Sequence, residues 1–204
     1  MSLMVAPRTV FLGVTGASGA PYALRLAQEL AVLGCSLSLS LSEAGAMVVR
    51  HELSLAASGS AGVAAEFLAR AHASADVYDA DDLTAPVSSG SAFPDAAVIC
   101  PCSLSTAAHI ALGTSVTLIH RAGAVALKER RPLVLVPREV PLSSIHLRRL
   151  LEVSEAGAIV VPPMPAFYTR PTSLEEGVDY VVGKVLAVLG FQNGLSPAWG
   201  GDIT

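Results

Sequence analysis

"RTVFLGVTGASGAPY", residues 8–22, runs from a short β-branched, apolar stretch into a loop built almost wholly of Gly, Ala, Ser and Thr. Val10 to Val14 reads as a strand, and Gly19 to Leu33 carries Ala20, Leu24, Leu26, Leu30 and Leu33 at near-helical spacing. A strand that hands over to a helix through small residues lets backbone N–H groups approach a ligand closely, and a phosphate is their usual guest. Gly13, Gly16 and Gly19 follow at three-residue spacing, which is not the G-x-G-x-x-G of a dinucleotide fold. On the loop alone, three readings stay open: a monophosphate such as a mononucleotide, a dinucleotide with Glu43 as its acidic partner, and a plain tight turn.

The same alternation continues along the chain. Cys35 to Leu41 alternates Leu with Ser as a strand does, and Glu43 to Leu55 looks helical. Residues 58–94 are rich in Ala, Ser, Asp and Gly, with a short helix expected over Ala64 to Ala71. Ala96 to Cys100 reads as a strand, Ser103 to Leu112 and Val116 to Glu129 as helices, and "RPLVLVPRE" (131–139) as a buried strand closed by Pro137. Ser143 to Ser154 follows as a helix and Ala158 to Val161 as a strand. Thr172 to Leu189 is an amphipathic helix with a capping box expected at Thr172 and Glu175. Strands and helices in alternation predict a parallel sheet covered on both faces, a three-layer Rossmann-like (flavodoxin-like) α/β fold. One domain is expected over residues 1–204, with its core at about 8–190 and a short tail over 191–204.

Composition narrows the function classes. The chain has 204 residues, 52% of them hydrophobic, with 13 Lys and Arg and a formal charge of −4. No basic run supplies the electrostatic footprint of a nucleic-acid binder, and no stretch approaches the roughly 18 apolar residues of a membrane span. The apolar surplus suits subunit contacts. Cys35, Cys100 and Cys102 are odd in number and lack zinc-ligand spacing, so buried thiols and no metal are expected. Val5 to Thr9 is too short and mixed for a signal peptide, which points to the cytoplasm.

Three polar clusters follow strands and so fall on one rim of the sheet, where such folds bind ligands. The first is the opening loop. The second is Ser103, Leu104, Ser105 and Thr106, which also read as ordinary helix caps. Ser42, at another strand end, joins this rim, and a flavin mononucleotide suits a phosphate held by hydroxyls and helix-terminal amides. The third is Arg138 and Glu139, directly after the buried strand. Arg121, Lys128, Tyr168 and Lys184 are further candidates to bind an anion and stabilise a departing phosphate.

The strings "VTGASGAPYALRL", "PCSLSTAAHIALG", "LKERRPLVLVPREVPLSSIHL" and "VVPPMPAFY" closely resemble the UbiX-type flavin prenyltransferases, a family long described as aromatic-acid decarboxylases. The resemblance runs from about Val10 to Gly190. It implies a metal-independent homo-oligomer, a dodecamer of trimers with active sites between subunits. Such an enzyme joins a dimethylallyl group from dimethylallyl monophosphate to N5 and then C6 of reduced FMN, and hands prenylated FMN to a UbiD-type decarboxylase. Carried over by position, Gly16, Ala17 and Ser18 match the first FMN loop, Ser42 the second contact, and Ser103 to Thr106 the third. Arg138 matches the flavin-contacting arginine, and Tyr168 and Lys184 the prenyl-phosphate ligands, with Arg121, Lys128 and Glu139 completing that anion site. Glu52 falls where the family has a glutamate that assists ring closure with the loop serine, here Ser18. Ser18, Glu52 and Glu139 are thus the implied catalytic set.

Two positions depart from the family pattern: Leu83, where some relatives have Trp, and Glu43, where Lys is common. His146 reads as structural, because the departing phosphate can itself serve as the base. The competing readings are an FMN-dependent decarboxylase of the phosphopantothenoylcysteine type, whose catalytic His and Asn-containing loops are absent from this sequence, and a non-catalytic flavin carrier.

Overall fold

Neighbouring residues of the first strand leave for opposite sides, Val10, Leu12 and Val14 into one core and Phe11 into another. A strand buried on both faces belongs to the interior of a parallel sheet. The computed structural model describes residues 8–195. Its sheet has six strands, β1 (Thr9–Val14), β2 (Ser36–Leu41), β3 (Ala75–Val77), β4 (Ala96–Cys102), β5 (Leu133–Pro137) and β6 (Ile159–Val160), in the order β3-β2-β1-β4-β5-β6. Every neighbouring pair is parallel, and Val10 sits level with both Leu37 and Ala96. This is the Rossmann strand order. It reverses between β1 and β4, which opens a crevice at the carboxyl ends of those two strands.

Helices α1 (Ala20–Val32), α2 (Glu43–Glu52), α3 (Gly59–Ala71) and α7 (Leu174–Val188) cover one face, around Leu26, Leu30, Phe67 and Leu186. The other face is covered by α4 (Leu104–Ala111), α5 (Leu118–Lys128) and α6 (Ser144–Glu155), around Ile110, Leu118, Ile119 and Val153. The three-layer α/β architecture expected from the strand–helix alternation is the one observed.

The differences from expectation are local. Helix α3 begins at Gly59, five residues before the expected Ala64, because its opening turn is small and Ala-rich and shows no large apolar residue before Val63. Strand β3 was not anticipated: it is a three-residue edge strand with Asp76 and Val77 exposed, so it carries no buried alternation to read. Helix α2 stops at Glu52 rather than Leu55, where Ser54 turns to a φ of 52°. The expected Thr172–Glu175 capping box does not form, and α7 is capped one residue further on. Ser173 Oγ accepts from Glu176 N–H, and Glu176 reaches back to accept from Thr172 N–H at 2.6 Å. The reason is that Thr172 uses both its amide and its hydroxyl on Glu176, leaving the cap itself to Ser173.

Cys100 and Cys102 are free and fully buried, and burial pushes both thiols up, Cys102 to about 12. Among the described residues, no group of three or more His, Cys, Asp or Glu could hold a metal ion, and no helix is long and apolar enough to cross a membrane. Of the expected tail, residues 196–204 lie outside the described part of the chain.

Candidate active site

The rim at the carboxyl ends of β1, β4 and β5 is stitched by one buried side chain. Thr15 donates from both its amide (3.1 Å) and its hydroxyl (3.0 Å) to the carbonyl of Pro101, and its Oγ1 accepts from Ser103 N–H at 2.7 Å. The loop after β1 is thereby locked to the start of α4. Ser103 in turn caps α4, accepting from Thr106 N–H at 3.2 Å and lying 3.0 Å from the Thr106 hydroxyl. The sequence reading of Ser103 to Thr106 as caps and as a ligand cluster is not a choice, since a cap fixes one amide and leaves others of the first turn open. Ser42 caps α2 in the same way, through Gly45 N–H at 3.0 Å. Gly16 lets the first loop lie against α2, because a Cβ there would come within 2.6 Å of Ala44 Cβ.

Glu52, at the last residue of α2, reaches back to the N-terminus of α1. Its Oε2 accepts from Gly19 N–H (2.9 Å) and Ala20 N–H (2.8 Å), and the Ser18 hydroxyl also bonds it. Arg138 Nε–H donates to the Ser18 carbonyl at 3.2 Å. Burial alone would raise the Glu52 carboxyl, but the bonds from Ser18, Gly19 and Ala20 and the nearby Arg138 charge outweigh it and hold its pKa below the ordinary value. Three predicted residues from distant parts of the chain therefore form one cluster.

That cluster removes one helix head from those that can take an anion. The amides that a Rossmann dinucleotide site would offer at the head of α1 are already taken by a carboxylate. The open first turn next to them is that of α4, at Leu104 and Ser105.

A second cluster forms between α7 and the 3-10 turn Phe167–Thr169. The hydroxyls of Tyr168 and Tyr180 are 3.3 Å apart, and Lys184 Nζ stands over the Tyr180 ring, 5.2 Å from its centre. A groove of about 1430 Å³ runs from Ser18 and Glu52 along α1, past Tyr22 and Arg25, to Pro165, Phe167 and the first turns of α7.

The remaining predicted residues join neither cluster. Arg121 Nε–H donates to the Ser88 carbonyl at 3.0 Å. Glu139 is exposed and accepts from Val140 N–H, next to it in sequence, at 3.1 Å. Lys128 is ion-paired with Glu129 at the far end of α5. The helix α5 runs back from the rim toward the start of β5, where Arg131 pairs with Asp95 at the foot of β4, and the Lys128 ammonium lies against Gly90. Within one protomer Lys128 lies toward the amino ends of the strands, whereas Ser18 and Arg138 lie at their carboxyl ends.

His146 has the structural role expected of it: its Nδ1 accepts from Ser143 N–H while Ser143 Oγ accepts from His146 N–H, closing a capping box on α6. Glu43 is exposed in the first turn of α2, where an acid suits the helix dipole, and Leu83 is 46% exposed. Two residues escaped the sequence reading. Thr15 stood in plain view at the end of the first strand, but nothing local marked its side chain as turning inward. Tyr180 was hidden because it falls among the apolar positions of an amphipathic helix.

The profile of the Flavoprotein family matches residues 2–188. The flavin prenyltransferase UbiX of Pseudomonas aeruginosa is 43% identical over 201 residues, covering 97% of this chain and 96% of that relative. The chain belongs to the UbiX family of flavin prenyltransferases. Among solved structures, AnUbiX in complex with FMN and dimethylallyl pyrophosphate superposes with a TM-score of 0.86 at 37% identity, covering 95% of this chain and 98% of that one. A dodecameric FMN-dependent UbiX-like decarboxylase from Escherichia coli gives 0.82 at 38% identity, with 94% and 98% covered. This UbiX-family chain is accordingly a prenyl-transferring enzyme, and the decarboxylase and carrier readings give way.

Proposed function

We propose that this enzyme transfers the dimethylallyl group of dimethylallyl monophosphate to N5 and C6 of reduced FMN. Reduced FMN is a substrate here, and the residues present suit it. The observation that carries the assignment is the occupied head of α1 beside the open head of α4. A phosphate at Ser103 to Thr106 lies beside the first turn of α2 capped by Ser42, and a flavin extending from it passes Gly16 and Ala17 toward Ser18, Glu52 and Arg138.

An allylic phosphate leaves a delocalised cation behind, so the site must hold the departing phosphate and keep water away. Tyr168 and Lys184 supply a donor and a positive charge for that phosphate. The carbon–oxygen bond breaks with its electrons on phosphate, the allylic carbon bonds to flavin N5, and the N5 proton passes to the departing phosphate. Ring closure then adds a proton from phosphate to the prenyl double bond, the tertiary carbon so formed bonds to C6, and the C6 proton is taken by Glu52, which is ionised near neutral pH, with Ser18 hydrogen-bonded to it.

Arg121, Lys128 and Glu139 enter this site from neighbouring protomers. The exposed apolar side chains Val140, Ile145, Leu147 and Leu151 along and before α6, with Leu112 and Val116 beside α4, are the surface such an assembly would bury. We take the assembly to be the homododecamer, acting in the cytoplasm and passing its product to a UbiD-type decarboxylase. The test is release of inorganic phosphate under anaerobic conditions. It should require reduced FMN and dimethylallyl monophosphate together; release from the prenyl phosphate alone would contradict the reading.

A further inference from the structure

Tyr180 lies among residues that pack α7 against the core, yet its polar and aromatic parts face the two groups assigned to the prenyl phosphate. It is half-buried against the core face that holds Val181, Val185 and Leu186. Lys184 follows it by one helical turn, close enough for its ammonium to stand over the ring face, 5.2 Å from the centre. Tyr168 meets the same ring edge-on, with centroids 6.1 Å apart and planes at 89°, and its hydroxyl is 3.3 Å from that of Tyr180. Tyr168 sits on a short 3-10 turn and is 48% exposed. Lys184, by contrast, is half-buried under the tyrosine.

We propose that Tyr180 is a positioning residue for prenyl transfer, which sets the Tyr168 hydroxyl and the Lys184 ammonium as one phosphate clamp. This rests on the proposed function above. The two parts of the side chain have separate tasks. The ring holds Lys184 through its face. Either hydroxyl can donate in this contact; with a phosphate bound, the Tyr168 proton goes to the phosphate oxygen and the Tyr180 hydroxyl donates to Tyr168 Oη, and a chain of hydroxyls aligned this way strengthens its terminal donor. Without the Tyr180 hydroxyl, the Tyr168 hydroxyl loses the contact that aims it, and that cost falls on donor binding.

The experiment compares wild type, Tyr180→Phe, Tyr168→Phe and the double variant for KM and kcat toward dimethylallyl monophosphate with saturating reduced FMN. Tyr180→Phe keeps the ring and the packing, so the melting temperature and the FMN affinity should stay at wild-type values. The KM for dimethylallyl monophosphate should rise about three- to tenfold, the size of one hydrogen bond. In the Tyr168→Phe background the same change should have no further effect, because the hydroxyl acts only through Tyr168. Tyr180→Leu should weaken donor binding beyond Tyr180→Phe by also releasing Lys184. An unchanged KM in Tyr180→Phe, or an equal loss in both backgrounds, overturns the proposal. A wild type that binds reduced FMN but never consumes the prenyl phosphate overturns the functional reading instead, so the two failures are distinct.

Discussion

Glu52→Gln isolates the charge that closes the head of α1. Glu52 Oε2 takes two backbone N–H bonds, at 2.9 and 2.8 Å, at the start of a helix whose own cap residue, Gly19, has no side chain to offer. Glutamine keeps an acceptor oxygen and the shape but gives up the charge. Weakening two bonds to a half-exposed ionised acceptor and losing its interaction with the helix dipole should cost about 1.5 kcal/mol. For a chain of this size that lowers the melting temperature by about 3–6 °C.

The pH dependence supplies the stricter check. The folded pKa of Glu52 lies below its unfolded value of about 4.3. Its contribution is therefore complete above that value and is lost as pH falls through the folded pKa, where the wild-type carboxyl takes up a proton and comes to resemble the amide. Thermal unfolding at a fixed protein concentration should show the full gap between wild type and Glu52→Gln at pH 7, and a closing gap as pH drops below about 4. Glu139→Gln, at an exposed position with a purely local bond, should show no gap at neutral pH. An equal Glu52 gap at both ends of the range, or none at pH 7, would refute the capping argument.

Lys184→Ala should raise the KM for dimethylallyl monophosphate about ten- to a hundredfold, the loss of a charged contact, while FMN affinity measured by fluorescence stays within about twofold. Lys128→Ala and Arg138→Ala protomers, each inactive alone, should regain a fraction of wild-type activity when unfolded together and reassembled, because Lys128 lies toward the amino ends of its own strands and Arg138 at their carboxyl ends. Activity confined to fully wild-type assemblies would oppose a shared site. His120 is buried, its Nδ1 has no hydrogen-bond partner and its ring stacks on His109 at 4.4 Å; burial and that neighbour lower its pKa to about 4. Between about pH 6.5 and 4 the unfolded chain binds a proton that the folded one refuses, so wild type should lose about 2 kcal/mol at pH 5 relative to pH 7.5 from this group. His120→Leu should lose correspondingly less, as read by denaturant unfolding.

What the sequence disclosed depended on how local the signal was. Val10 to Val14 and Leu133 to Pro137 are continuous apolar runs bounded by turn residues, and both are buried strands. The edge strand Ala75–Val77 buries no face, so no period could mark it. Glu52 was paired with Ser18 only through family resemblance, and Arg138 was singled out by its place after a buried strand; the fold brings all three together, since the head of α1, the tail of α2 and the end of β5 meet across long stretches of chain. Lys128 shows the opposite limit. Its place in the motif is legible, but its distance from the rim follows from the direction of α5, and the role proposed for it needs a second protomer. Tyr180 went unread because an aromatic residue among Val178, Val181 and Val182 is indistinguishable from core until its hydroxyl is located.

The central claim is tested most directly by incubating the purified protein anaerobically with reduced FMN and dimethylallyl monophosphate and weighing the released flavin by mass spectrometry. The account predicts a flavin heavier by one dimethylallyl unit, formed only when both substrates are present. Unmodified FMN recovered from a protein that binds both substrates would contradict it.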